Sequence, residues 1–383
     1  MKQLRVALAH DYLGEFGGAE RVLMVLSEMF PAAPIYTAFV RPGPAYERFK
    51  HRDLRPSWAQ KIPGFATKLH SPLRFLAPLI WESFDFRDYD LVISSCSWYI
   101  TKGILTRPET VHIAYIHTPP RYLYGYPTSI NWQKYWPLRV YARVVNHYLR
   151  EYDFVAAQRP VILIANSENT RRRIQKFYRR DATVVYPPVE LPETENRKQK
   201  TENNDKKDYF LIVSRVVGGK GLKLAVQACT QLELPLKVVG TTGGYSREFA
   251  EIKEIAGPSI EFLGYVSDEN LSELYACAKA FLATAQDEDF GMTVVEAQLA
   301  GTPVIAYRGG GYLETVVEGK TGIFFDEYSV RGLKRGISDF RIHISDFKPQ
   351  MIQKHAEKFS KDRFVKQMKK IIDDALTKVV YDV

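Results

Sequence analysis

From Pro192 to Asp208 the chain reads PETENRKQKTENNDKKD, without an aromatic or a β-branched aliphatic residue. Such a stretch cannot bury enough apolar surface to fold by itself. It reads as a linker, and on each side of it the pattern is the same: short buried strands alternating with helices. The amino-terminal strand patterns are Leu4–His10, Ile35–Val40, Leu91–Ser95, Val111–Ile116, Val161–Ala165 and Thr183–Tyr186. On the carboxy-terminal side they are Tyr209–Ser214, Leu236–Val239, Ile260–Leu263, Ala280–Ala285, Pro303–Tyr307 and Ile323–Phe325, with helices such as Leu222–Cys229 and Glu269–Cys277 between them. Alternation of this kind predicts parallel sheets covered on both faces. The expected organisation is a first domain over 1–191, a linker over 192–208 and a second domain over 209–362. Two doubly wound sheets joined in this way predict a ligand cleft between them, beyond the carboxyl ends of the strands.

A length of 383 residues with 45% apolar content is enough to fill two cores. No run of 18 or more apolar residues occurs, and the start passes from Met1-Lys2-Gln3 straight into a strand pattern, so a cytoplasmic protein is expected. Cys96, Cys229 and Cys277 are odd in number and far apart, with no Cys-x-x-Cys pair, so neither a disulfide framework nor a zinc site is implied and packing is their expected role. The net charge of +9 suits phosphates, nucleic acid or an anionic membrane, and charge alone does not choose among them.

The segment Glu288-Asp289-Phe290-Gly291-Met292-Thr293-Val294-Val295-Glu296 lies between a strand pattern and a helix pattern, Met292 to Ala300, that Gly301 ends. Little more than one helical turn separates Met292 from Glu296, so Glu296 is expected to face the same mouth as Glu288. The first amides of the helix, from Phe290 to Thr293, favour an anion there. Two carboxylates beside an anion site suit a ligand carrying hydroxyls and phosphates. The residues alone equally fit an acidic turn complementing the helix dipole, with Glu296 a solvated helix residue.

Arg215 ends a strand pattern and Lys220 follows in a glycine-flanked loop, so both cations can reach one point at the edge of the sheet. Gly17-Gly18 opens a helix and lets the backbone approach an anion, although a capping turn needs the same residues. His117 follows the strand Val111–Ile116 and is succeeded by Thr118-Pro119-Pro120-Arg121, which has no evident packing purpose.

With these pieces in this order, the sequence resembles the retaining glycosyltransferases of family 4, group 1, which have the GT-B fold of two doubly wound Rossmann-like α/β domains. The likeness rests on Gly17-Gly18-Ala19-Glu20, on Tyr115 to Tyr122, on Ala165-Asn166-Ser167, and on Val213-Ser214-Arg215 with Lys220. It rests also on Glu288 to Ala297 and on Gly301-Thr302-Pro303-Val304-Ile305-Ala306. The loop before Lys220 departs from the family form, which has a proline and an aromatic residue there. By resemblance, Arg215 and Lys220 clamp the diphosphate of a nucleotide sugar in place of a metal ion, and no cofactor is needed. Glu288 then accepts from sugar hydroxyls and Glu296 from the ribose, Phe290, Gly291 and Met292 offer amides, and Gly17 and Gly18 approach the diphosphate. His117 belongs beside the reactive carbon, and Arg121 assists on the acceptor side. Asp88-Tyr89-Asp90 and Asp287-Glu288-Asp289 read as structural, the first opening a strand and the second capping a helix.

The segment from His117 to Tyr122 is most similar to that of mannosyltransferases using GDP-mannose. A hexose transferred to a glycan or lipid-linked acceptor, in cell-surface polysaccharide or glycolipid synthesis, is the implied function. A sugar-nucleotide epimerase or a pyridoxal-dependent phosphorylase of the same architecture is the enzymatic alternative, and a basic nucleic-acid binder the non-catalytic one; a transferase implies no nucleic-acid partner. Two stretches mix basic and aromatic residues: Trp58 to Phe86, and Tyr122 to Arg150 with six tyrosines and two tryptophans. Either they sit at an anionic membrane surface or they are amphipathic cover for the first sheet. Met351 to Val379 reads as helical, and the resemblance implies that the stretch from about 363 onward (363–383) packs back on the first domain.

Overall fold

The structure is a computed structural model that describes residues 4–128, 135–192, 207–215, 219–241 and 246–381. Most of the expected linker, 193–206, lies outside the described residues, as do residues 216–218 before Lys220. The chain forms two compact units: Met1–Tyr126, Trp132–Pro188 and Lys361–Val383 in one, Pro127–Asn131 and Val189–Ser360 in the other.

The first unit holds a seven-stranded sheet, with pairs parallel throughout, in the order β3-β2-β1-β4-β5-β6-β7. Its strands are β1 (Val6–His10), β2 (Ile35–Thr37), β3 (Leu54–Pro56), β4 (Leu91–Cys96), β5 (Val111–Ile116), β6 (Ile162–Ala165) and β7 (Thr183–Val184). The second unit holds a six-stranded parallel sheet in the order β10-β9-β8-β11-β12-β13. These strands are β8 (Phe210–Val213), β9 (Leu236–Val239), β10 (Ile260–Gly264), β11 (Ala280–Ala283), β12 (Val304–Tyr307) and β13 (Gly322–Phe325). Strand order reverses between β1 and β4 in the first sheet and between β8 and β11 in the second. Chains leaving such neighbours diverge to opposite faces, so each sheet has a crevice at its carboxyl edge.

The sheets form because their central strands are buried on both faces and read as runs; β5, VHIAYI, is buried at every position. Leu8, Leu26, Ile93, Val111 and Tyr115 make one core of the first unit, and Ala9, Phe39, Phe65, Ile80 and Trp81 a second. Cys96, Cys229 and Cys277 are all buried and free, and burial pushes the thiols of Cys96 and Cys229 up to about 12.

Several elements differ from the sequence reading. β3 has no sequence signal, because it is a three-residue edge strand ending in proline. The long carboxy-terminal helix is in fact broken: Pro349–Ala356 and the short turn Glu357–Phe359 precede Ser360, which is extended (ψ 156°), and a new helix runs Lys361–Tyr381. The break lets one apolar run serve two cores. Phe359 packs edge-on against Phe290 in the second unit, whereas Phe364, Met368, Ile372 and Ala375 are buried with Leu8 and Leu26 in the first. Arg74, a cation of the stretch Trp58 to Phe86, is buried, with its guanidinium donating to Asn146 Oδ1 (3.0 Å) and the Ser71 carbonyl (3.0 Å).

Lys102 and Asp153 form an ion pair that is almost wholly inaccessible, at 1% and 0% exposure. Asp153 also accepts from the Tyr124 hydroxyl (2.8 Å), and the Lys102 ammonium lies 4.7 Å from the centre of the Tyr178 ring. Breaking a pair like this strands a charge in an apolar interior. Lys102→Met is expected to lower unfolding free energy by about 3–5 kcal/mol, read by urea denaturation. The double variant Lys102→Met/Asp153→Leu should lose less than the single one; equal or greater loss would show that packing, not the stranded charge, is the cause.

Candidate functional site

In the second unit the crevice of the sheet lies between the ends of β8 and β11. After β8 the chain turns at Ser214, whose amide donates to the Val239 carbonyl (3.0 Å), and Arg215 follows in an exposed position. After β11, Thr284 Oγ1 donates to the carbonyl of Gly221 (3.0 Å). Gly221 has φ +71°, and a Cβ there would fall 2.0 Å from the Thr284 carbonyl oxygen, so only glycine lets the two loops meet. That contact sets Lys220 over the β11 loop, where its Nζ donates to Glu288 Oε2 at 2.8 Å. The two side chains are 31% and 17% exposed, so the pair opens to solvent on one side. The sequence pairs Lys220 with Arg215; the structure joins Lys220 to Glu288.

Glu288 is held from below. The loop Gly309–Gly311 runs against it, with the Gly311 amide donating to the Glu288 carbonyl (2.8 Å). At Gly310, φ is +55° and a Cβ would stand 2.4 Å from that same carbonyl oxygen. Nothing in the spacing of the glutamates points to these glycines, although the run Gly309-Gly310-Gly311 is a visible signal of close backbone approach. Phe290 is buried, and Gly291, left-handed with φ 96°, is the cap of the helix Met292–Leu299. Asp289 therefore does not cap that helix. Met292 and Thr293 are half-buried at its first turn, where helix amides favour an anion.

Glu296 is not a solvated helix residue. It is buried at 4% exposure, and its carboxylate accepts from the Tyr275 hydroxyl at 2.8 Å. Tyr275, from the helix Asp268–Cys277, is a partner the sequence does not reveal.

In the first unit the crevice lies between β1 and β4, where His10 and Ser95 are register partners. His117, just past β5, is 8% exposed; its amide donates to the Cys96 carbonyl (2.8 Å) and its carbonyl accepts from Thr170 Oγ1 (3.2 Å). Thr170 in turn lies in the first turn of the helix Glu168–Tyr178, capped by Ser167 Oγ accepting from its amide (3.0 Å). Ser95 Oγ stands 2.8 Å from His117 Nε2 and 3.0 Å from His10 Nδ1, and His10 Nε2 is 3.4 Å from Glu20 Oε1. The amide of Gly17 donates to Glu20 Oε2 at 2.8 Å. Gly17 caps the helix Gly18–Met29. Burial works to raise the Glu20 pKa, but the hydrogen bond and charge of His10, with the amides of Gly17 and Glu20, outweigh it and hold the carboxyl below its usual value. Arg121 opens a short turn, Arg121–Leu123, and is half-buried. Asp11 braces the same edge: Oδ2 accepts from the Ser97 amide (2.9 Å), Ser97 Oγ (2.7 Å) and the Trp98 amide (2.5 Å), and Oδ1 from Thr101.

Asp90 of the Asp88-Tyr89-Asp90 run accepts from the Arg5 amide (3.0 Å) and guanidinium (3.1 Å), a structural role at the start of β4. Among the described residues no group of three or more histidine, cysteine, aspartate or glutamate side chains could hold a metal ion.

Residues 16–192 match the family described as Glycosyltransferase Family 4 and residues 193–358 the family described as Glycosyl transferases group 1. An alpha-1,3/1,6-mannosyltransferase, ALG2, of Dictyostelium discoideum is 25% identical over 84% of this chain and 86% of its own length. The D-inositol 3-phosphate glycosyltransferase of Corynebacterium urealyticum is 27% identical over 59% of this chain and 62% of its own length. Among solved structures, Anabaena HepE in complex with UDP and glucose superposes with a TM-score of 0.71 at 18% identity, covering 97% of this chain and 100% of that one. Sucrose-phosphate synthase from Thermosynechococcus elongatus gives 0.73 at 16%, covering 98% and 100%. The chain belongs to the group 1, family 4 glycosyltransferases and has their GT-B fold of two Rossmann-like domains.

Proposed function

We propose that this transferase moves a hexose, mannose from GDP-mannose, to a glycan or lipid-linked acceptor, with retention of configuration and without a metal ion. The Lys220–Glu288 pair at the second unit's crevice is the observation that carries the reading. An ammonium has three donors, and the bond to Glu288 uses one, leaving two for a diphosphate. Arg215, at the end of β8, and the first turn of the helix Met292–Leu299 add positive potential at the same edge. Glu288, ionised, is an acceptor for sugar hydroxyls. As the bond from the anomeric carbon to the phosphate breaks, negative charge grows on the diphosphate, and fixed cations stabilise that charge without reorganising. The phosphate oxygen takes the proton of the acceptor hydroxyl on the face where the new bond forms, so no protein nucleophile is required. His117 and Arg121 are the first unit's contribution, at the sugar and the acceptor respectively, and Glu296 the ribose partner through whatever acceptor capacity Tyr275 leaves. Gly18, with Gly17 committed to Glu20, is the amide of that turn assigned to the diphosphate.

Mannose is favoured by the long matches to mannosyltransferases, which exceed in identity the likeness to the enzyme solved with UDP and glucose. An anionic membrane, on the cytoplasmic side, is the place that suits a lipid-linked acceptor. The helix Trp136–Ala156 supports this: it buries Ala142, Asn146, Leu149, Asp153 and Ala156 and turns Trp136, Val140, Val144 and Tyr148 outward, with Arg139 and Arg143 among them.

GDP-mannose at about 100 times its Kd should stabilise the protein by about 2.7 kcal/mol and raise its melting temperature. A shift with a UDP-sugar and none with GDP-mannose would overturn the donor assignment. Glu288→Gln is expected to lower kcat on the order of 100-fold, and chelators should leave wild-type turnover unchanged; loss of turnover with a chelator would end the metal-free reading. Gly310→Ala should raise the donor KM by displacing the Glu288 backbone. In sedimentation with vesicles containing phosphatidylglycerol, Val140→Asp/Val144→Asp should abolish binding, and equal binding by the variant would remove this helix from the membrane contact.

A further inference from the structure

We propose that Glu20, His10 and Ser95 are positioning residues that fix which ring nitrogen of His117 carries its proton, leaving His117 Nδ1 as a hydrogen-bond acceptor. The inference rests on the use of His117 beside the donor sugar given above. The four side chains form one chain of contacts, 3.4, 3.0 and 2.8 Å long from Glu20 to His117. His10, Ser95 and His117 are at 2%, 1% and 8% exposure, and the Glu20 side chain at 13%, so water does not compete strongly for these contacts.

The direction of the chain follows from what each group can do. An ionised carboxylate only accepts, so the His10 nitrogen facing Glu20, Nε2, carries the proton when the ring holds one. In a singly protonated His10, Nδ1 is then an acceptor, and the Ser95 hydroxyl donates to it. A serine hydroxyl has one proton to give, so its oxygen meets His117 as an acceptor, and His117 Nε2 must be the protonated nitrogen. The other nitrogen, Nδ1, keeps its lone pair. With His10 singly protonated, the opposite sense would set a carboxylate against an unprotonated imidazole nitrogen, with no proton between them; a doubly protonated His10 would donate from Nδ1 as well and reverse the chain, so a His117 protonated at Nε2 also reports a neutral His10. The Gly17 amide holds the second carboxylate oxygen at 2.8 Å and fixes the far end of the chain. His117 cannot turn away easily, because its amide and carbonyl are both bonded and its ring packs 5.1 Å from that of Tyr115. This arrangement gives a purpose to the glutamate that follows Gly17-Gly18-Ala19: through two intermediates it sets the polarity of a nitrogen it never touches.

The test reads the tautomer directly. In full-length protein with ¹⁵N-labelled histidine, long-range ¹H–¹⁵N spectra at neutral pH should show His117 protonated at Nε2, the signal being assigned by its absence in His117→Gln. Ser95→Ala should shift His117 toward a mixture of tautomers and lower kcat by about 10- to 30-fold with the donor KM within about twofold. Glu20→Gln supplies a second variant. Its amide oxygen is needed by the Gly17 amide, so its NH₂ faces His10, every bond in the chain reverses, and the His117 proton is expected at Nδ1. A wild-type His117 protonated at Nδ1, or a tautomer unmoved by both variants, overturns the proposal. Unaltered transfer by His117→Gln would instead overturn the assigned use of His117, which the tautomer spectra do not depend on.

Discussion

A parallel sheet wound in both directions from its middle must part its connections at one place, and that necessity positions nearly every group discussed above. In the first sheet the parting lies between β1 and β4, and the residues at their carboxyl ends are His10 and Ser95. In the second it lies between β8 and β11, and the loops leaving them carry Arg215, Lys220 and Glu288. Parallel strands also leave their last carbonyls and the next helix's first amides at that same edge, so polar side chains there find partners without entering the apolar layers.

What distinguishes the two edges is how their polar groups are satisfied. At the first, Asp11 accepts from two amides and two hydroxyls, and the histidine-serine chain is closed by Glu20, so the edge is held by bonds internal to the unit. At the second, the central bond is a partly exposed ion pair that can exchange partners with an incoming anion. A buried polar network is costly if one member is missing, and so it holds geometry; a half-open ion pair is worth little to stability and is free to serve binding.

Much of the fold was legible because strands buried on two faces read as uninterrupted apolar runs, as in Phe210–Val213 and Ala280–Ala283. β3 was not, since three edge residues ending in proline leave no pattern. The glutamates and cations of the second crevice were recognisable by type and order. Their pairing was not, because Lys220 and Glu288 are 68 positions apart and only the fold joins them. For the same reason the burial of Glu296 was not legible, its hydroxyl partner Tyr275 lying on another helix. The burial of Arg74 was hidden likewise, since its acceptor Asn146 lies 72 positions on. His10 and Ser95, 85 apart, carry no local signature at all.

The helix Lys361–Tyr381 bears on how the molecule comes into being. Phe364, Met368, Ile372 and Ala375 fill space beside Leu8, Leu23 and Leu26 that no earlier segment occupies. A ribosome delivers those four side chains only after the entire second unit has been synthesised. The half made first therefore lacks part of its core until the later half has emerged, and its completion is tied to chain order.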